Sequence, residues 1–265
     1  MTTGERSRLG VRTRRCLRSQ VNRLLVIAGL VTILPGIAIA ERWRPGTGSG
    51  VARRGVRRIG RACGIRFEAR GSCQLHPFGS YVFVANHSSP IDIPAMLLAG
   101  PDVRFLAAAD LFRIPLLALA MRALRTVPIE RRDRAVAHQQ LAQLASGGEP
   151  LCLTVFAEGG IAPAGQRLPF KNGAFVLAIE TGATVVPVAI HHSDEVLAPG
   201  ARLLVSPGTV TVEFLDPIPT NGLSVEDRHL LRDRTRDAIL AALDREPATQ
   251  VGSSSRRAAR RPGRR

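Results

Sequence analysis

The chain reads as an α/β fold: a mostly parallel central sheet flanked by helices, with an N-terminal membrane-associated helical segment ahead of it. Three observations predict this. From residue 81 onward, short apolar runs alternate with longer segments of helical character, the ordering that gives a parallel sheet covered by crossover helices. Two polar motifs, at residues 86–92 and 156–160, follow directly on two of those runs, and sheets of this kind place their ligands beyond the carboxyl ends of strands. An uncharged stretch of seventeen residues, Leu24–Ala40, stands near the N-terminus between Arg23 and Arg42.

Taken in order, residues 1–71 form a basic N-terminal segment built to associate with membranes. Leu24–Ala40, interrupted by Pro35 and Gly36, is at the lower length limit for a spanning helix. It is read as an anchor, re-entrant or crossing once with its Arg-rich end inside; a cleaved signal peptide ending near Ala38-Ile39-Ala40 is the alternative. In Ala52–Cys63, Ala52, Val56, Ile59 and Cys63 recur at helical spacing, with arginines on the remaining faces. That is the pattern of a basic interfacial helix.

The body, 72–247, carries expected strands at 81–86, 151–157, 184–190 and 209–215. Expected helices lie at 90–99, 114–124, 134–146, 172–181 and 225–244, the last opening with the capping-box pattern Ser224–Asp227. Residues 248–265 form a basic tail of disordered composition.

Charge follows the same division. The net charge of +16 is carried by the flanks: seven arginines in residues 1–23, nine in 41–71 and six in 256–265. The remaining body has fifteen basic and eighteen acidic residues. Arms of this kind bind phosphate-bearing polymers or anionic lipid alike. Bracketing of an apolar stretch and the scarcity of aromatics favour anionic membrane lipids, and no nucleic acid is expected. The four cysteines, Cys16, Cys63, Cys73 and Cys152, show no metal-ligand spacing and are expected as reduced thiols. Lys171 is the only lysine among thirty-seven cations.

The chemistry sits in Asn86-His87-Ser88-Ser89-Pro90-Ile91-Asp92. An imidazole accepts a proton near neutral pH, and an adjacent carboxylate fixes its tautomer and stabilises its cation. On one continuous helix positions i and i+5 lie about 140° apart and could not meet. Ser89 and Pro90 suit the cap and first position of a helix, so His87 falls in the loop ahead of it and can fold back over Asp92. The same residues also fit a capping box with Asp92 at N3, a purely structural alternative.

Further blocks follow in order: Thr126–Arg131, Phe156-Ala157-Glu158-Gly159-Gly160, Pro169–Phe175 and Val185–Val188. Together with the His87 box, these resemble the glycerolipid acyltransferases, specifically the 1-acylglycerol-3-phosphate acyltransferases with their N-H-x4-D, I-x-R, F-P-E-G-T and V-P-V blocks. The resemblance spans roughly residues 60–245 and marks 72–247 as the acyltransferase domain. It implies His87 as base and Asp92 as its partner, with no serine nucleophile. Arg131, Glu158, Gly159, Gly160 and Lys171 are implied as the acceptor site, and Val186–Val188 as a pocket wall or plain core. The implied reaction moves an acyl group from acyl carrier protein or coenzyme A to a lysolipid, without cofactor or metal, at the cytoplasmic face of the membrane. The expected acceptor is 1-acyl-sn-glycerol-3-phosphate, giving phosphatidic acid. Ala157, Gly160, Ile161 and the alanines at 107–109 depart from the family pattern, and two cations expected near an acceptor phosphate are missing. Another lysolipid, such as a lyso-ornithine lipid, is therefore an alternative; a secreted esterase and a nucleic-acid-binding protein are alternatives of other classes.

Overall fold

The computed structural model describes residues 3–44, 46–71, 76, 79–100, 104–130, 133–145, 150–201 and 203–245. Seven strands form its sheet: β1 (Ile65–Arg70), β2 (Tyr81–Ala85), β3 (Arg104–Ala108), β4 (Val127–Ile129), β5 (Cys152–Phe156), β6 (Thr184–His191) and β7 (Gly208–Phe214). Their order is β1-β7-β6-β2-β5-β3-β4. Every neighbouring pair is parallel except β6 with β7. Parallel strands covered on both faces must be apolar along their length. Val82–Ala85 and Val185–His191 are accordingly buried without interruption.

Eight helices accompany the sheet among the described residues: α1 (Thr3–Trp43), α2 (Gly48–Cys63), α3 (Asp92–Ala99), α4 (Pro115–Ala123), α5 (Arg134–Ala145), α6 (Gly173–Thr181), the single turn α7 (Ser193–Val196) and α8 (Arg228–Asp244). The sheet divides the core in two. Phe83, Ala85, Phe105 and Val188 pack with Leu34, Ala52, Met96 and Ala123 of α1–α4. Val82, Val84, Leu153 and Val185 pack with Phe175, Leu177, Leu231 and Ile239 of α6 and α8 on the other face.

The expected strands and long helices are all present, and three strands come in addition. β1 lies inside the basic segment, where Arg66, Glu68 and Arg70 mask an edge strand that buries only Ile65. β3 and β4 are short, and Pro128 is tolerated in β4 because that strand is the opposite edge. Ser224 and Asp227 make the expected capping box, followed by one 3-10 turn before α8 begins at Arg228. Val186-Pro187-Val188 lies wholly buried within β6, and the strand holding this proline is central to the sheet. Arg131, Cys73 and the tail beyond Arg245 lie outside the described residues.

The N-terminal pair departs from expectation in one respect. The Ala52, Val56, Ile59 and Cys63 stripe of α2 is turned onto α1 and the body, so protein covers the face expected to meet lipid. Arg54, Arg57 and Arg58 remain exposed. The reason is glycine-mediated close approach: Ile59 of α2 packs over Gly29 of α1, and Ile33 of α1 packs over Gly55 of α2. Buried Asn22 secures the pair, donating from Nδ2 to the carbonyls of Cys63 at 3.1 Å and Val205 at 3.0 Å. Outward, α1 exposes Leu24, Val31 and Ile39, and its Arg18–Trp43 section is long and apolar enough to cross a membrane. A side chain at Gly55 would collide with three carbons of Ile33. Gly55→Val is expected to lower stability in detergent by about 1–3 kcal/mol. Ile33→Ala in the same chain should recover part of that loss, a coupling that a double-mutant thermal-melt cycle reads directly.

Candidate active site

Four chain segments meet at the carboxyl end of the sheet, each following a strand or opening a helix. β2 ends at Ala85 and delivers Asn86 and His87; β5 ends at Phe156 and delivers Glu158; β6 ends at His191; and α3 begins at Asp92. Asn86 ties the first and third together, donating to the Ile190 carbonyl at 3.1 Å and accepting the Ile190 N–H at 2.8 Å. The loop carrying His87 is thereby fixed to the neighbouring strand by two reciprocal hydrogen bonds.

His87 folds back over Asp92 as expected, with Nδ1 2.8 Å from Oδ2. The same oxygen accepts the N–H groups of Ser88 at 2.8 Å and Ser89 at 2.9 Å. Asp92 is fully buried and opens α3, where the partial positive charge of a helix N-terminus favours an anion. An ionised carboxylate only accepts, so His87 Nδ1 carries a hydrogen and Nε2 presents a lone pair. The imidazole stacks on Phe156 with centroids 4.2 Å apart and planes 20° apart, which holds the ring in one orientation. This is the arrangement of a positioned general base.

The helix starts two residues later than expected. Pro90 and Ile91 form a turn, and Ile91 occupies the cap position of α3. The cause is the Ser89 hydroxyl, which accepts the Ile91 N–H at 3.2 Å and donates to the Leu197 carbonyl at 2.6 Å. Spent on those partners, it does not cap the helix. Asp92 still receives the Ser89 N–H, so half of the capping box coexists with the His–Asp pair on one oxygen.

Glu158 is 6% exposed, and its two oxygens accept from the backbone N–H groups of His87 and Leu168, each at 3.1 Å. Burial raises its carboxyl above the ordinary value, opposed by those two hydrogen bonds. Gly159 takes a φ of 76°, where a side chain would be strained and would also meet the aliphatic end of Lys171 within 3.0 Å. Gly160 has open space where a Cβ would stand. Lys171 is exposed beside this turn, its N–H donating to the Ala157 carbonyl at 2.8 Å. Of the residues expected at the site, His87, Asp92, Glu158, Gly159, Gly160 and Lys171 gather around these strand ends.

An acyltransferase family model matches residues 66–191. The 1-acyl-sn-glycerol-3-phosphate acyltransferase alpha of Mus musculus is 31% identical over 180 residues, covering 67% of this chain and 63% of the mouse protein. The chain belongs to the glycerolipid acyltransferase family. The Homo sapiens protein of the same description is 32% identical over 181 residues, with the same 67% and 63% coverage. The chain thus spans less than two thirds of the length of these curated relatives. The crystal structure of the 1-acyl-sn-glycerophosphate acyltransferase PlsC from Thermotoga maritima superposes with a TM-score of 0.69, at 22% identity, over 88% of this chain and 99% of that one. At that identity the likeness is one of fold.

Two parts of the site were not singled out from sequence. Asn86 sits inside the motif, yet its clamp on Ile190 spans 104 residues and depends on strand order. A second histidine–carboxylate pair, buried His191 Nε2 to part-exposed Glu213 Oε2 at 3.0 Å, exists because β6 and β7 run antiparallel. Burial lowers the His191 pKa from the usual 6.5, outweighing the pull of Glu213.

Asp92→Asn can keep its three hydrogen bonds only with its carbonyl where Oδ2 stands, which leaves the geometry in place but removes the negative charge that stabilises an imidazolium at His87. Turnover is expected to fall by ~10²–10⁴ with an unchanged melting curve; steady-state kinetics alongside calorimetry read both. The lowered His191 pKa means that its contribution to stability is present above pH 6.5 and lost as pH falls through the folded value. His191→Gln should therefore narrow the drop in Tm between about pH 7.5 and about pH 5.

Proposed function

We propose that the protein transfers a fatty acyl group from a thioester donor to the free hydroxyl of a lysolipid. The observation that carries this reading is the orientation of His87: Nδ1 bonded to buried Asp92, the ring stacked on Phe156, and Nε2 left to accept a proton. The acceptor hydroxyl gives its proton to Nε2 as its oxygen bonds to the thioester carbonyl carbon. Collapse of the tetrahedral intermediate breaks the carbon–sulfur bond, and the imidazolium returns the proton to the departing sulfur. Asp92 stabilises the imidazolium while it lasts.

The acceptor read first is 1-acyl-sn-glycerol-3-phosphate, in line with the names of the mouse and human relatives. Its phosphate would be met by Lys171 and Arg131, by charge-assisted bonds. Glu158 has both oxygens on backbone N–H groups, and its part is to hold the His87 loop. A second reading, a lysolipid without a terminal phosphate, is favoured by Ile161, exposed directly after Gly159-Gly160. Membrane association is read from the outward Leu24, Val31 and Ile39 of α1 and the exposed arginines of α2, with the catalytic body on the cytoplasmic side, where anionic lipid attracts cationic segments.

Purified protein given a radiolabelled acyl thioester and a panel of lysolipids tests the reading. Acylation of at least one lysolipid is expected, lowered by ~10²–10⁴ in His87→Ala. Equal rates in the variant and the wild type would refute His87 as the base. Preference for lysophosphatidic acid, weakened in Lys171→Ala through a higher KM, supports the phosphate acceptor; indifference to the phosphate supports the second reading.

A further inference from the structure

A cavity of about 330 Å³ adjoins the His87 loop, and the proton-transfer scheme leaves it unused. The volume falls in the range of small-molecule sites, roughly 300–1,000 Å³. Asn86 and Ser88, which flank His87, and Glu158, in the turn just after β5, form its inner wall. Its floor is apolar, with Phe170, Ile239 and Leu243, and its rim carries Arg236, Asp194 and Glu195. Phe170 and Ile239 belong to the α6 and α8 face of the core. His87 and Phe156, by contrast, stack above the face packed by α1–α4. The cavity thus reaches the catalytic loop from the side opposite the apolar helix α1.

The lining excludes two occupants. A fatty chain would desolvate the ionised rim without pairing it, which is costly. A lysolipid phosphate held close to the His87 loop would face Glu158 at the inner wall, far from the rim's Arg236, and like charges repel. A neutral chain of amides and methylenes meets neither objection: its carbons suit the apolar floor, its amides suit the backbone of the 162–168 loop, and an anionic far end suits Arg236 at the rim. Resting on the acyl-transfer reading, we propose that this cavity binds the phosphopantetheine arm of the acyl donor and delivers its thioester to His87 from the face away from the membrane. The arm is common to coenzyme A and acyl carrier protein, so the site serves either donor.

Ala164 lies exposed in the loop bordering the cavity, where a large side chain fills space without entering the core. The probes are palmitoyl-4′-phosphopantetheine, palmitoyl-coenzyme A and palmitoyl-acyl carrier protein, each with lysophosphatidic acid, or with the best acceptor of the panel, as the second substrate. Ala164→Trp is expected to raise the KM of every donor the wild type uses by roughly tenfold, while the acceptor KM moves less than about twofold. Arg236→Ala is expected to raise donor KM as well, and to bring the phosphorylated probe level with palmitoyl-pantetheine lacking the phosphate. Isothermal titration of desulfo-coenzyme A or of 4′-phosphopantetheine into the wild type and Ala164→Trp gives a readout free of turnover, with weaker binding to the variant expected. An effect confined to the carrier-protein donor, absent from the isolated arm, would overturn the proposal, as would unchanged donor KM or a rise in acceptor KM alone. Failure of the wild type to acylate any lysolipid from any donor would instead refute the acyl-transfer reading itself, a distinguishable result.

Discussion

One oxygen atom organises the site: Oδ2 of Asp92, which accepts from His87 Nδ1, Ser88 N and Ser89 N at 2.8–2.9 Å. A fully buried carboxylate is expensive unless its charge is met by donors. Here the three donors come from three consecutive residues of one loop, so meeting the charge and positioning the imidazole are a single event. The other oxygen, Oδ1, is buried and without a hydrogen-bond partner among the described residues. Such unsatisfied atoms are rare in native proteins and collect where function sets the geometry. Around this centre, Glu158 and Asn86 brace the same loop from neighbouring strands, leaving the backbone of residues 86–89 with little freedom.

The sheet separates two environments. On one face lie α1–α4, with exposed leucine and isoleucine on α1 and arginines on α2. On the other lie α6 and α8, where Arg232 and Arg236 are interspersed with Asp233, Asp237 and Asp244. Concentration of the positive excess in the flanks, against a mildly acidic body, follows the same partition. The carboxyl edge of the parallel strands is where both faces are reached from one point, and His87 stands there.

Much of this was legible in the residues themselves. The alternation of apolar runs with helical periods gave the four central strands and the long helices, because parallel strands buried on both faces need continuous hydrophobicity. The folding of His87 over Asp92 was legible because Ser89 and Pro90 break the helix between them. What was not legible depended on long-range partners. The start of α3 slipped because the Ser89 hydroxyl finds the Leu197 carbonyl, 108 residues away. β1 hid in an arginine-rich segment, since an edge strand can form with little of it buried, here Ile65 alone. The inward turn of α2 could not be read from its own stripe, because the same apolar face suits a bilayer or another helix; glycines at 29 and 55 decide it only once the two helices are known to cross. The second pair, His191 with Glu213, required the antiparallel register of β6 and β7.

Asn22 also sets an order in time. Its amide reaches the carbonyl of Val205, 183 residues further along the chain, and β1 must wait for β7, its partner from Gly208 onward. At about 5–20 residues per second of synthesis, roughly 10–40 s pass between the appearance of Asn22 and that of its partner. Throughout that interval the contacts that Asn22 and β1 make with the 205–213 segment are not yet available. Until then the apolar outer face of α1, which stays exposed in the finished fold, is open to any apolar phase before the sheet is complete.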